Sequence, residues 1–366
     1  MEKEVVVPIA LLIVSFMLRL AIAVQGIHGT DVIAHVNGSR SLLLTGSPYC
    51  IASYNYPPLY SVLQLASILV FGWNPLGYKF MPILFDSLLS IAIYFAVKMF
   101  TGSRRLAIAS QILWIFNPLA FVASAWYGLF DSIPALFTLT SILVLTISRN
   151  IASASMLALG IVSKVYPLLY LLPQALNPSN RKLKDIVTYI AVAVTISVAV
   201  EVVLSIKCFW KALEYQLSFH LQRIDRGLSL APYTPYSSIA SLSIPTAILT
   251  IIAYLMRIRG RYNAENYFAW ASTCTALTIA LNPFIYPHYL VWLLPLALIY
   301  VICRFEEKGV AVALLYILIF SAIGIAYWKF YRVSSIVTIL SISLYTALAS
   351  LILTTTLSNI SRKQKL

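Results

Sequence analysis

Apolar stretches of about twenty residues recur along this chain, and each is long enough to cross ~30 Å of hydrocarbon as a helix. The 366 residues are 60% hydrophobic and only 10% charged, with a mean hydropathy of +0.87, which excludes an ordinary soluble domain. In lipid every backbone polar group must be satisfied internally. The period-2 alternation of a membrane barrel is absent, so the expected fold is all-α, a polytopic transmembrane bundle of about 11–13 helices. The expected spans are 6–25, 76–98, 106–125, 132–148, 151–163, 165–177, 186–206, 237–256, 266–282, 288–303, 310–328 and 333–356. No polar stretch is long enough for a separate soluble domain, so residues 1–366 are read as one membrane domain. The run 6–24 is read as a retained first helix and not a signal peptide, because Arg19 interrupts it and no small-residue cleavage site follows.

Charge orients the spans. With the N-terminus inside, sixteen of the 26 Lys and Arg fall in short cytoplasmic connections: Lys3, Lys98, Arg104, Arg105, Arg149, Arg181, Lys182, Lys184, Arg257, Arg259, Arg261, Arg304, Lys308, Arg362, Lys363 and Lys365. That bias follows the positive-inside rule and accounts for most of the net charge of +14, so nucleic acid is set aside as a partner. Counting the apolar stretch 57–73 as a crossing would put Lys98, Arg104 and Arg105 outside. It is therefore read as an outer-surface or re-entrant segment after Pro57-Pro58. Two long outer loops remain, 26–74 and 207–236. The four cysteines show no CxxC or metal-ligand spacing. Cys50 and Cys208 share the outer side, so a bond between them is geometrically possible, but free thiols are expected throughout.

Charge beside membrane spans is costly and marks candidate sites. Asp31 follows the first helix, as a general base, as the cap of a following helix, or as a carboxylate merely solvated in a loop. Tyr56 stands in the aromatic, proline-rich end of the first loop, as part of a substrate surface or an interfacial belt. Asp131 precedes Ser132 and Pro134 at a helix start, where capping is again open. Lys164 interrupts an apolar run of about twenty-five residues, for substrate binding or for an ion pair with a carboxylate such as Asp131. His220, Arg223, Asp225 and Arg226 form the densest cluster. On a helix His220 and Arg223 share a face, with Arg226 a turn further, and such donors grip a phosphate or rest nonspecifically on headgroups. His288 lies among aromatics at an outer helix start, a substrate ligand or an interfacial residue. The chain lacks GxxxxGK[ST], GxGxxG, GxSxG and HExxH, and no cluster suits a metal, so neither metal nor cofactor is expected.

Asp31, the Gly46-Ser-Pro48-Tyr49 turn and Tyr56-Pro57-Pro58-Leu59 resemble the GT-C superfamily of integral-membrane glycosyltransferases. Further on, Lys79-Phe80, Asp86, Gly102-Ser-Arg-Arg105, Phe116-Asn-Pro-Leu119, Asp131-Ser-Ile133 and Lys164-Val-Tyr-Pro167 recur in the order of the GPI mannosyltransferase I family. So do His220-x-x-Arg223-x-Asp225 before Pro232-Tyr233, and Tyr289-x-x-Trp292. The resemblance spans about 26–297. It departs at one place: Ile33 stands where the family has the second Asp of an Asp-x-Asp pair.

The resemblance implies an inverting transfer of a hexose, expected to be mannose, from a polyprenyl-phosphate sugar to a glycolipid or glycan hydroxyl at the outer face. Asp31 alone would be the base. His220, Arg223 and Arg226, with Lys164 second, would stabilise the leaving phosphate. Asp131 and Asp225 would orient those cations or hold sugar hydroxyls. The expected partners are the lipid-linked donor, the acceptor, membrane lipids and an accessory membrane subunit. A multi-pass protein of the cell membrane is expected, with the endoplasmic reticulum as the alternative. The rivals are a flippase using intramembrane acids such as Asp86 and Glu201, or a noncatalytic subunit.

Overall fold

The computed structural model describes residues 2–177, 182–222, 238–258, 264–282, 285–330 and 334–361, and they are helical with short connections. In chain order the helices are α1 (Glu2–Ala23), α2 (Thr30–Thr45), α3 (Leu59–Phe71), α4 (Pro75–Thr101), α5 (Arg104–Ile115), α6 (Pro118–Phe121), α7 (Ser132–Thr146), α8 (Asn150–Ile161), α9 (Leu171–Ala175), α10 (Leu183–Ser205), α11 (Phe209–Gln222), α12 (Ser238–Ile258), α13 (Ala264–Leu281), α14 (Leu290–Phe330) and α15 (Ser334–Ser361). Among the described residues, Val5–Ala23, Pro75–Thr101, Leu183–Leu217 and Pro287–Phe330 are long and apolar enough to cross a membrane. Arg104–Ile115 and Pro118–Trp126 pass the same test only when taken together, as a pair bent by 46°, which makes a broken span or a re-entrant loop. The protein is a polytopic membrane protein.

Local chemistry sets the breaks. Gly102 takes a left-handed conformation (φ +68°) that ends α4, and Ser103 accepts from the Leu106 amide to begin α5, so four residues of the Gly-Ser-Arg-Arg motif make a complete turn. Asn117 caps α6 through the Leu119 and Ala120 amides, and a π-helical turn, Val122–Trp126, follows. The backbone of α14 breaks at Glu306 (φ 52°), which separates the two spans expected there. Three sequence expectations change. The first outer loop contains two helices, α2 and α3. The segment 165–177 is a 3-10 turn, Tyr166–Tyr170, running into the five-residue α9, too short to cross alone. Cys50 and Cys208 are disulfide-bonded with Cα atoms 5.3 Å apart, while Cys274 and Cys303 form no disulfide among the described residues. The bond forms because the loop after α2 and the start of α11 lie against each other, where the Lys211 ammonium also donates to the Cys50 carbonyl at 3.1 Å. Sequence spacing carries no trace of that contact.

The two ends of the bundle are chemically distinct. Arg105 pairs with Glu307 at 3.0 Å at one end, and Arg257 donates to the carbonyls of Leu176 and Asn177. The first outer loop, the disulfide and the starts of α7 and α14 lie at the other end. Between them, the charge inside the spans is neutralised. Arg19 on α1 donates from Nε to Asp86 Oδ2 on α4 at 2.6 Å, with both side chains fully buried. Asp86 also accepts from Ser124 Oγ at 2.6 Å and from Trp114 Nε1 at 3.0 Å. Glu201 accepts from Tyr49 and Gln216. Both intramembrane acids therefore act as structural partners. Asp86→Asn strands a buried guanidinium and is expected to cost about 3–5 kcal/mol, whereas Arg19→Met with Asp86→Leu restores much of the loss. Thermal unfolding in detergent checks this: the double variant must melt above the single one.

Candidate active site

The first outer loop builds one wall. α2 begins at Thr30, so Asp31 and His35 stand one turn apart on one face. Asp31 is exposed, makes no cap, and has no hydrogen bond or ion pair among the described residues. Helix capping is thus excluded for this residue, whereas its exposure matches the other structural alternative, a solvated carboxylate. The packing beneath is close. A Cβ at Gly38 would come within 2.6 Å of the Tyr54 ring, and one at Gly128 (φ +68°) within 2.9 Å of the Lys79 side chain. Lys79 in turn donates to the carbonyls of Ala125 and Trp126 at 3.2 and 2.7 Å, at the negative end of the π-turn.

That turn delivers Phe130 and Asp131 to the centre. The Asp131 carboxylate accepts from Lys164 Nζ and from Trp292 Nε1, each at 2.6 Å on the same oxygen, and His288 Nε2 stands 4.0 Å from the other oxygen. Asp131, Lys164 and His288 are all at least nine-tenths buried. The Lys164 ammonium lies 5.0 Å from the ring centroids of Phe130, Tyr289 and Trp292 and 5.9 Å from that of Tyr56, so aromatic faces replace its water shell. Trp292 is fixed between the stacked rings of Tyr166 and Tyr289. Burial opposes ionisation of Asp131, but Lys164, His288 and the two hydrogen bonds outweigh it and hold the carboxyl below its ordinary range.

Asp131, Lys164, His288 and Tyr56, four of the residues expected from the sequence, therefore meet at one end of the bundle, beside Asp31. Asp131 sits at the N-cap position of α7 without capping it, so the ion-pair alternative for Lys164 is the arrangement found. His220 lies on α11, which the disulfide and the Gln216–Tyr49 hydrogen bond (2.8 Å) hold against the first loop. The side chain of His220, and all of Arg223, Asp225 and Arg226, lie outside the described residues. Ile33, at the second acidic position of the resembled motif, is 48% exposed and, two positions from Asp31 on α2, does not share its helix face.

Sequence reading missed His35. Its ring is buried at 1% exposure among Tyr54, Tyr56, Tyr60 and Phe130, with centroids 4.8–6.0 Å away. Neither ring nitrogen has a hydrogen-bond partner among the described residues. The four-residue spacing from Asp31 was the available signal, and it becomes readable only once α2 is known to be helical. Burial pushes the imidazole down to about 4, while Asp31 and Asp131 pull upward and Lys164 and His288 push downward. An unfolded imidazole near 6.5 binds a proton that the folded one refuses, so stability rises with pH between those values. Unfolding midpoints at pH 4.5 and 7 should show a larger gain for the wild type than for His35→Phe.

No protein-family model matches the sequence. The chain is 24% identical over 316 residues to the GPI alpha-1,4-mannosyltransferase I catalytic subunit of Danio rerio, covering 77% of this chain and 78% of that one. It is 24% identical to GPI mannosyltransferase 1 of Trypanosoma brucei brucei (76% and 69% covered) and 27% identical to that of Saccharomyces cerevisiae (45% and 43% covered). Its fold matches the crystal structure of ArnT from Cupriavidus metallidurans bound to undecaprenyl phosphate, with a TM-score of 0.62 at 13% identity, over 97% of this chain and 77% of that one. In sequence, then, this chain is similar to the GPI mannosyltransferase 1 proteins, and in fold it is a GT-C-like polytopic helical protein.

Proposed function

We propose that this protein is a membrane glycosyltransferase that moves a hexose, mannose by its sequence relatives, from a polyprenyl-phosphate sugar to a hydroxyl of a glycolipid or glycan. The observation that carries the reading is the contrast between Asp31 and two acids bonded within the site and against the first loop, Asp131 and Glu201. Asp131 and Glu201 are occupied by protein partners, whereas Asp31 is exposed and unpaired among the described residues. A carboxylate so placed is available to take the proton from an acceptor hydroxyl as that oxygen attacks the anomeric carbon with inversion. The departing phosphate gains negative charge, which fixed cations nearby stabilise. Lys164 is already neutralised by Asp131, so the phosphate falls first to His220, Arg223 and Arg226 of the second outer loop. The Asp131–Lys164 pair then orients the site.

The similarity to GPI mannosyltransferases and to the fold of ArnT supports the choice of a lipid-linked donor. The disulfide supports an outer-facing site, since such bonds persist in oxidising compartments. We read residues 1–366 as one membrane domain and the reaction as needing no metal. A flippase would want unpaired acids lining a path through the spans; Asp86 and Glu201 are instead held by Arg19 and by Tyr49 and Gln216.

Asp31→Asn should lower transfer of radiolabelled mannose from polyprenyl-phosphate mannose by about 100-fold or more in nanodiscs. Because Asp31 is exposed, its melting temperature should stay unchanged. Full activity in that variant excludes Asp31 as the base.

A further inference from the structure

His35 is a buried titratable residue at this end of the bundle for which the mechanism has no use. Its two nitrogens lack partners among the described residues, and a polar group left so inside a protein costs about 1–3 kcal/mol. Replacing it with a phenyl ring would remove that cost. Such a residue is expected where a ligand completes it.

We propose that His35 is a substrate-binding residue that hydrogen-bonds a neutral ring hydroxyl of the acceptor, next to the hydroxyl that Asp31 deprotonates. The inference rests on the glycosyl-transfer reading above. Three observations carry it. First, Asp31 and His35 are one turn apart on the same face of α2, about 5–6 Å between Cβ atoms, the span of one sugar ring. Second, the walls around the imidazole are aromatic and uncharged: Tyr54, Tyr56, Tyr60 and Phe130. An apolar enclosure keeps the ring neutral, able to donate from one nitrogen and accept at the other, which suits a hydroxyl and not a phosphate. Third, Tyr54, Tyr60 and Phe130 are buried to 2% exposure or less, while Tyr56 is only half-buried. Tyr56 is therefore the wall whose rotation admits a ligand to the imidazole.

The carboxylate that the resembled family places two residues after Asp31 is absent here, and Ile33, two positions along α2, does not share the face of Asp31. His35, at four residues, lies on the face that Ile33 does not.

The test compares the wild type, His35→Phe and His35→Gln in nanodiscs. Polyprenyl-phosphate mannose serves as donor and a membrane glycolipid extract as acceptor, each titrated in turn. Melting temperatures are measured alongside. The expected result is a rise in the apparent acceptor KM of His35→Phe by roughly 10–100-fold, the factor for one lost hydrogen bond at 1.4 kcal/mol per decade. The donor KM should stay within about twofold, the melting temperature should be equal or higher, and His35→Gln should recover part of the loss. An acceptor KM unchanged in His35→Phe, a donor KM raised in its place, or a melting temperature clearly lowered at neutral pH would each overturn the assignment. If the wild type itself transfers no sugar, the glycosyl-transfer reading fails and this inference with it. An active wild type with an indifferent His35→Phe removes this inference alone.

Discussion

The ion pair of Asp131 and Lys164 is the contact on which this end of the molecule depends. The two charges lie in a shell of aromatic rings, and a buried pair survives only when its remaining hydrogen-bonding capacity is met. Trp292 supplies that capacity from the start of α14, so a single carboxylate oxygen ties together the start of α7, the end of α8 and the first turn of α14. Trp292 is itself clamped between Tyr166 and Tyr289. Loss of either charge would leave the other stranded and free three elements at once. The first outer loop packs onto this post through Tyr56 and Phe130, whose rings meet at 5.3 Å, and so Asp31 and His35 inherit their positions from it.

The same economy governs the rest of the membrane region. Arg19 and Asp86 satisfy each other with help from Ser15, Trp114 and Ser124. Deep among α7, α8, α9 and α10, the Gln174 carbonyl oxygen accepts from Ser141 and Tyr189, each at 2.6 Å. These bonds meet most of the polar demand that hydrocarbon imposes, leaving Arg19 Nη2 and Gln174 Nε2 without a partner among the described residues. Asp31 and His35 are likewise open, one exposed and the other buried with neither ring nitrogen partnered among the described residues. A site that must accept a substrate has to keep some polar groups unspent, and both of these fall on one helix face.

Much of the architecture is legible in the sequence because hydrocarbon imposes a length and a polarity on each span. The pair Arg105–Glu307 lies at one end of the bundle and Lys164–Asp131 at the other. What resisted was contact between segments far apart. Cys50 and Cys208 are separated by 158 positions, and nothing local to either announces the other. α2 was read as part of a loop because its polar residues, among them Asn37, Ser39 and Arg40, give no apolar stripe of helical period. With α2 unrecognised, His35 had no geometric relation to Asp31. Lys164 was legible as special because a lysine in an apolar run is rare, and its partner followed from chemistry. Trp292 was visible only as part of a motif, since a tryptophan gives no sign in sequence of where its indole N–H points.

The most direct test of the account is a cryo-EM map of the protein in nanodiscs with bound polyprenyl phosphate. The account predicts phosphate density at the end of the bundle that holds Asp31, Lys164 and the Cys50–Cys208 bond. The opposite end offers a cavity, lined by Arg149, Asn150, Asp185 and Tyr189, with a volume of about 590 Å³. Phosphate density there, with none beside Asp31, would contradict the location of the site and the mechanism built on it.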